Sequence, residues 1–151
     1  MKTLSGAELR DYIKERQAKQ VRALRQAHNV FPKLAIVVTA DNPVIERYIA
    51  LKKEYGDDIL IEVNVHRVSQ NEAGETIKML NSDQSVYGII VQLPLENPEQ
   101  TDELLSLIHA QKDVDGLTAH SPFVAATPMA IDWLLAGFNV ELKNKAIVLI
   151  G

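Results

Sequence analysis

Apolar residues follow two different spacings along the chain, and these spacings predict helices that alternate with strands. A 3.6-residue spacing is typical of a helix with one buried face, whereas short apolar runs rich in β-branched residues indicate strands. The helical spacing predicts helices over residues 6–27, 43–56 and 71–81, one that begins at Asn97-Pro98, and one from Thr127-Pro128 to Gly137. The apolar runs predict strands over residues 34–38, 61–65, 86–91 and 146–150.

Local signals indicate where several of these helices begin and end. Ser5 and Glu8 have the spacing of a capping box, so the first helix is expected to begin at Gly6. Asp41-Asn-Pro43 offers a cap and a first-turn proline for the second helix, which Gly56 is expected to end. Thr127-Pro128 is expected to cap the last helix.

Because helices and strands alternate, the expected fold class is α/β, a three-layer α/β/α arrangement around an open, mainly parallel sheet. Such sheets bind ligands beyond the carboxyl ends of their strands. Three predicted loops meet there: the loop around Asp41, the loop after Val91, and residues 110–126. Candidate chemistry is therefore sought in these loops and in the helices beside them.

The chain of 151 residues suits one compact domain, but its last residues have a different character. Lys145-Ala-Ile-Val-Leu-Ile-Gly151 is an apolar run that ends at a glycine, which is how a dinucleotide-binding unit opens. We therefore predict a domain over residues 1–140, with residues 141–151 as the first strand of a Rossmann-type domain that is cut short. The alternative is that this strand pairs with the domain's own sheet or with another copy.

Composition excludes several functional classes. The chain has no cysteine, which rules out disulfides and thiolate chemistry and fits a cytoplasmic protein. Its net charge of −4 argues against a nucleic-acid partner, and no apolar run is long enough to span a membrane. The four histidines lack the spacing of metal ligands, so no metal is expected. Residues 1–27 are basic, which is typical either of a solvated helix face or of an anion-attracting patch.

Tyr48 and Lys52 lie four residues apart in a predicted helix, so their side chains are neighbours. An amine at the edge of an apolar stripe loses hydration and can exchange a proton near neutral pH, and a phenol beside it can offer a flat face to an aromatic substrate. The plainer interpretation is that Lys52 extends to water and Tyr48 belongs to the core. Spacing alone favours that plainer interpretation.

Polar residues in two loops are further candidates. Gln92 directly follows the third strand, where its amide could orient an amine or a carbonyl, or could bond to local backbone. Asp113 and Asp115 flank Val114 before Gly116, whose presence indicates a tight turn that could aim one carboxylate into the cleft. A carboxylate can accept both N–H groups of a 2-aminopyrimidinone, although an aspartate-capped turn or a weak metal site would use the same residues.

Taken together, these segments resemble one family, the bifunctional methylenetetrahydrofolate dehydrogenase/cyclohydrolases. Four segments stand in that family's order and approximate spacing, and Asp41-Asn-Pro43 is similar to its Asp-Asp-Pro stretch. The four are Tyr48-Ile-Ala-Leu-Lys52, Val91-Gln-Leu-Pro-Leu95, Lys112-Asp-Val-Asp-Gly116 and Thr127-Pro128. The resemblance implies that the chain is the catalytic half of such an enzyme, with a folate substrate and a homodimeric assembly.

The resemblance also implies roles for individual residues. Lys52 would transfer protons, and Tyr48, Gln92 and Asp115 would position the lysine and the pterin ring. The implied substrate-binding residues are Tyr48, Ile49, Ala50, Leu51, Lys52, Val91, Gln92, Leu93, Pro94, Asp115, Thr127 and Pro128. The NADP cofactor would be bound mainly by the second domain, whose first glycine would be Gly151, so the chain alone is expected to lack dehydrogenase activity.

The sequence departs from the family pattern at several positions. Ile45 stands where the family usually has a serine, Glu54 where it has a second lysine, and Ala126 where it has a cysteine. These differences bear on cyclohydrolase efficiency, because that step depends most on how the lysine is held. Two alternatives are a substrate domain of another two-domain NAD(P) dehydrogenase, of the shikimate or amino-acid type, and a degenerate folate-binding module.

Overall fold

The structure is a computed structural model that describes residues 3–148. Five α-helices and three strands alternate through most of this part of the chain. They are α1 (Gly6–His28), β1 (Lys33–Val38), α2 (Pro43–Asp58), β2 (Glu62–Arg67), α3 (Gln70–Ser82), β3 (Val86–Val91), α4 (Thr101–Ser106) and α5 (Ala126–Gly137). Single 3-10 turns occupy Pro98–Gln100 and Ala110–Lys112.

The three strands form one parallel sheet in the order β2-β1-β3. Side chains of the central strand alternate between its two faces, as the pleat requires. Ala35 and Val37 join a buried cluster that contains α3 and α4 residues, whereas Ile36 and Val38 join a second cluster with residues of α2. Helices therefore cover both faces, and the predicted three-layer α/β/α fold with a parallel sheet is confirmed.

The first helix begins as predicted and packs against the second. Ser5 accepts a hydrogen bond from the backbone N–H of Glu8, which caps α1. Further along α1, Lys14 Nζ donates to Asp58 at 2.6 Å, and Gln17 Oε1 accepts from the hydroxyl of Tyr55 at 2.8 Å. These two bonds tie α1 to the carboxyl-terminal half of α2, which is the half that follows Lys52.

Two predicted helix boundaries are wrong. α2 continues past Gly56 to Asp58, because Gly56 is buried against β2, where a Cβ atom would collide with the Val63 side chain. The glycine therefore permits a close helix–strand approach and does not end the helix. α5 begins at Ala126, after Ala125, and has no side-chain cap, so Thr127 does not cap it.

The carboxyl-terminal part of the chain also differs from expectation. Asn97-Pro98 opens a 3-10 turn, and the α-helix that follows has only six residues. Trp133 lies among apolar residues of α5 but is 44% exposed. Residues 146–148 form no strand, and the rest of the strand predicted over 146–150, together with Gly151, lies outside the described residues.

We expect Ile77→Ala to destabilise the fold strongly. Ile77 is fully buried on α3 within the cluster that joins this helix to the sheet. Removing such a side chain leaves a cavity and typically costs about 2–5 kcal/mol of unfolding free energy. Met79→Ala is the matched control, because Met79 lies on the same helix but is largely exposed. Urea denaturation measures both; equal losses would contradict the assignment of the core.

Candidate functional site

Lys52 meets Gln92 at the point where β3 ends. Lys52 Nζ donates a hydrogen bond to Gln92 Oε1 at 3.0 Å. The backbone N–H of Gln92 donates to Val37 O at 2.9 Å, and its Nε2 donates to Leu93 O at 2.8 Å, so both the backbone and the amide plane are fixed. Gln92 is only 9% exposed. The sequence analysis offered two interpretations of this amide, orienting an amine or bonding to local backbone, and in the structure it does both.

Tyr48 lies beside the same amine, one helical turn earlier. Lys52 Nζ is 5.7 Å from the centroid of the Tyr48 ring, within the range of a cation–π contact. Tyr48 is 54% exposed, and Leu51 is similarly exposed. These side chains and Lys52 line a largely apolar cavity of about 290 Å³ on the α2 side of the sheet, with Ile90 at its base. The ring is therefore available to a ligand and does not belong to the core.

Asp115 completes the group from the loop after Lys112. Burial raises the pKa of the Asp115 carboxyl above its usual range, Lys52 opposes that rise, and Asp113 adds to it. The charge of Lys52 thus acts on the Asp115 carboxyl, although no ion pair joins the two groups within residues 3–148. The amine itself contacts an amide and lies beside a phenol ring.

The two aspartates of the turn have different surroundings. Asp113 is fully buried, and its carboxylate accepts hydrogen bonds from the backbone N–H groups of Gly116 and Thr118. Asp115 is half-buried, and the charge of Lys52 acts on its carboxyl. The turn-capping interpretation therefore holds for Asp113, and a ligand-binding role for Asp115 stays a prediction.

Several predicted site residues lie elsewhere. Ile49 is buried in the core beneath α2, and Val91 is buried on the α3 side of the sheet. Leu93 packs against the cluster on the α3 side, while Pro94 follows it across a cis peptide bond and is exposed. Every second side chain of a strand, and every third or fourth of a helix, points to the same face. Neighbours in a motif therefore need not share a site.

The predicted Thr127-Pro128 segment lies at the start of α5. Thr127 lines a separate groove of about 590 Å³ between α1 and α5, which shares only Tyr55 with the cavity beside Lys52. Ala50, by contrast, is exposed on α2 between Tyr48 and Lys52. The structure thus brings Tyr48, Lys52 and Gln92 together and places Thr127 in a separate groove.

Sequence analysis missed the residues that hold this loop in place. Lys112 Nζ donates to the backbone oxygens of Leu80, Asn81 and Asp83 at the end of α3, at 2.7–2.9 Å. The Asp113-x-x-Gly116 spacing did signal a capped turn, but no pattern indicated which helix end the lysine would reach. Such long-range contacts depend on tertiary packing.

The described residues do not fit the pyrophosphate of a dinucleotide. Such groups bind at glycine-rich turns between a strand and a helix. Within residues 3–148, the turns that follow β1, β2 and β3 contain no glycine, and the first carries Asp41, whose charge opposes a phosphate. The same part of the chain contains no group of three or more His, Cys, Asp or Glu side chains arranged to hold a metal ion, and no helix in it is long and apolar enough to cross a membrane.

Comparison with known proteins connects this geometry to one family. The sequence pattern of the family described as "Tetrahydrofolate dehydrogenase/cyclohydrolase, catalytic domain" matches residues 4–115. The chain is 30% identical to the bifunctional protein FolD of Sulfurovum sp., with all of this chain and 58% of that protein aligned. It thus spans little more than half the length of that relative.

Solved structures give the same result. The bifunctional FolD methylenetetrahydrofolate dehydrogenase/cyclohydrolase of Campylobacter jejuni superposes with a TM-score of 0.88 at 31% identity, over 94% of this chain and 55% of that one. The Trypanosoma brucei enzyme, solved with NADP and an inhibitor, shares the fold with a TM-score of 0.88 at 21% identity, over 95% of this chain and 54% of that one. The chain therefore belongs to the tetrahydrofolate dehydrogenase/cyclohydrolase family, as its catalytic domain.

Proposed function

We propose that this chain binds a reduced folate beside Lys52 and that Lys52 transfers protons during hydrolysis of 5,10-methenyltetrahydrofolate. The observation that carries the proposal is the hydrogen bond of 3.0 Å between Lys52 and Gln92, with the Tyr48 ring beside the same amine. The charge of Lys52 also acts on the Asp115 carboxyl. Family membership supports a folate as the ligand, because the relatives are named for folate chemistry.

Hydrolysis needs a group that takes one proton from the attacking water and then returns it to a nitrogen of the substrate. As water attacks the cationic amidine carbon, a C–O bond forms and the water must lose a proton. The bond from that carbon to one ring nitrogen then breaks as this nitrogen gains a proton, and the C–O bond becomes the formyl C=O as the second proton of the water is released to solvent. A neutral amine can accept the first proton and deliver it to the nitrogen, so one side chain serves both steps. The hydrogen bond to Gln92 Oε1 orients the Lys52 amine for these two proton transfers.

Three other side chains are proposed to hold the substrate. The Asp115 carboxylate would accept two hydrogen bonds from the 2-aminopyrimidinone edge of the pterin. The exposed ring of Tyr48 and the side chain of Leu51 would contact the flat apolar parts of the folate. Ala50 and Pro94 are also exposed, and their contact with the substrate stays a prediction. The buried Ile49 and Val91 support the helix and strand from below and are not included among the contacts.

Ile45 bears on how well this site works. It is almost fully buried in the cluster between α2 and the sheet, so its side chain offers Lys52 no polar contact. Gln92 is the residue that accepts a hydrogen bond from Lys52 among the described residues. We therefore propose that hydrolysis by this chain relies on Gln92 more heavily than it would if a hydroxyl also held the amine.

The dehydrogenase reaction is proposed for a longer protein that includes this domain. Hydride transfer needs NADP, and the described residues do not fit a dinucleotide. We therefore expect residues 1–151 alone to show no NADP-dependent oxidation of methylenetetrahydrofolate. A boundary near residue 140, a homodimeric assembly and a cytoplasmic location stay predictions.

Calorimetric titration tests the proposed ligand. We expect saturable binding of a tetrahydrofolate analogue that cannot be hydrolysed, together with hydrolysis of 5,10-methenyltetrahydrofolate in a parallel assay. Shikimate and a panel of amino acids serve as competitors, because a related two-domain dehydrogenase would bind them. Binding of these acids without folate binding would contradict the proposal, whereas folate binding without turnover would support a degenerate module.

A further inference from the structure

The loop that carries Asp115 is held by a carboxylate that cannot itself reach a ligand. Asp113 is 0% exposed, and its carboxylate forms no ion pair within residues 3–148. Oδ2 accepts hydrogen bonds from the backbone N–H and the hydroxyl of Thr118 at 2.9 and 2.8 Å. Oδ1 accepts from the backbone N–H groups of Gly116 and Leu117 at 3.1 and 3.5 Å. A buried charge with this many donors organises the backbone around it.

These bonds also affect the charge of the group itself. Burial raises the pKa of the Asp113 carboxyl, but the hydrogen bonds donated by Thr118 and Leu117 outweigh it and hold the pKa below its usual range. The side chain is therefore ionised at neutral pH although it is buried. An ionised carboxylate accepts from backbone N–H groups more strongly than a neutral amide does.

The backbone on either side of Asp113 is fixed by separate contacts. Asp113 pairs with Ile89 as an isolated parallel bridge at the edge of β3. Lys112, the preceding residue, is tied to the end of α3 by three hydrogen bonds. The side chain of Val114 packs on Gly88, where a Cβ atom would lie 2.9 Å from both Val114 methyl groups. Val114 joins the cluster beneath α2, so the chain reaches Asp115 on the α2 side of the sheet.

The turn that follows Asp115 is fixed at Gly116. Gly116 adopts φ of +68°, a left-handed conformation that side chains other than glycine rarely adopt. Its N–H points to Asp113 Oδ1, and a Cβ atom there would lie 2.7 Å from the backbone of Val124 and Ala125. The Asp115 backbone is thus held between a bridge to the sheet and a turn capped by Asp113.

We propose that Asp113 is a positioning residue that holds the half-buried Asp115 in place within its loop. This inference rests on the proposed function, in which Asp115 contacts the pterin. Two charged groups affect the pKa of the Asp115 carboxyl: Lys52 of α2 lowers it, and Asp113 of the same loop raises it. Without the Asp113 cap, the turn loosens, Asp115 becomes hydrated, and the carboxylate moves away from the lysine.

Asp113→Asn tests the proposal with little change of shape. The amide group has one acceptor oxygen, so it cannot accept hydrogen bonds from all three backbone N–H groups and the Thr118 hydroxyl at once. We expect the affinity for a tetrahydrofolate analogue to fall by at least about tenfold, because small displacements of a positioning group are costly. We also expect the pKa of Asp115, followed by carboxyl carbon NMR, to fall back toward its usual range, because its burial is the largest cause of its shift. Loss of the Asp113 charge contributes to this fall, so the positioning role also requires a fall in Thr118→Val, which keeps that charge.

If Asp113 only stabilised the fold, its substitution would not change both the folate affinity and the pKa of Asp115. Ile77→Val is the matched control, because it destabilises the core on the α3 side of the sheet without touching the loop. Its folate affinity and Asp115 titration should stay as in the wild type, within about twofold for the affinity. If Asp113→Asn fails to fold, Thr118→Val removes one donor from the same carboxylate and should shift both readouts in the same direction by less.

The two measurements separate failure of this inference from failure of the proposed function. Absence of folate binding by the wild-type chain would contradict the proposed function, while the Asp115 titration would still test Asp113. An unchanged Asp115 titration in folded Asp113→Asn, together with unchanged folate affinity where the wild type binds, would overturn the positioning role. A folded variant with both readouts shifted would support it.

Discussion

Lys52→Met is expected to reduce hydrolysis of 5,10-methenyltetrahydrofolate by about 10²- to 10⁴-fold, the usual contribution of a positioned acid–base group. Methionine has similar length and keeps the apolar stem of the side chain, but it can neither take a proton from water nor return one. It also cannot donate to Gln92 Oε1, which is 3.0 Å from the amine in the wild type. The rate is measured from the loss of methenyl absorbance, with this chain or with a longer protein that contains it.

Lys53→Met is the matched control for this experiment. Lys53 is the next residue of the same helix, and it is exposed. The control changes the same charge at nearly the same place in the sequence, so it should retain hydrolysis at close to the wild-type rate. Binding of the folate analogue should survive in both variants. If Lys52→Met hydrolysed the substrate at the wild-type rate, Lys52 would be removed from the mechanism.

Asp115→Asn is expected to weaken folate binding by roughly 1.5–3 kcal/mol, or about 10- to 100-fold, the cost of losing hydrogen bonds to a charged group. The asparagine amide presents one acceptor and one donor, so it cannot accept two N–H groups from the pterin edge. Asp132→Asn on the exposed side of α5 is the control, with the same change of charge and no expected loss. Equal affinity in Asp115→Asn and the wild type would exclude Asp115 from the pterin contact.

The same carboxylate makes folate binding depend on pH in a defined direction. Burial raises the pKa of Asp115, so its carboxyl becomes protonated at a higher pH than an ordinary aspartate does. Since binding needs the ionised form, affinity should be full above the raised pKa and should fall as pH drops through it. The linked effect on folding has the opposite sign: keeping this carboxyl protonated favours the folded state, and that contribution is lost as pH rises through the same pKa.

The elements and layers of the fold followed from sequence because they depend on local periodicity. Ala35 and Val37 face α3 while Ile36 and Val38 face α2, so the alternation along β1 alone indicates a strand covered on both sides. The meeting of Lys52 with Gln92 could be anticipated because the residue after a buried parallel strand stands at the ligand-binding edge of the sheet. Periodicity could not predict whether the Lys52 amine would reach Gln92, because that distance depends on how α2 packs against the sheet.

Other features could not be predicted because they depend on contacts distant in sequence. Gly56 looked like a helix end, but its role is to admit β2, and only the packed structure shows which strand approaches it. The motif with two aspartates gave no sign of which carboxylate would be buried. That choice follows from the bridge between Asp113 and Ile89, which turns the Asp113 side chain inward and leaves Asp115 half-buried.

A structure of the chain with a bound tetrahydrofolate analogue tests the central claim most directly. The account predicts that the pterin edge lies within hydrogen-bond distance of the Asp115 carboxylate, with the one-carbon position next to Lys52 Nζ and the ring of Tyr48 against the ligand. A folate bound in the α1–α5 groove or elsewhere, with Lys52 and Asp115 left in contact with solvent, would contradict it.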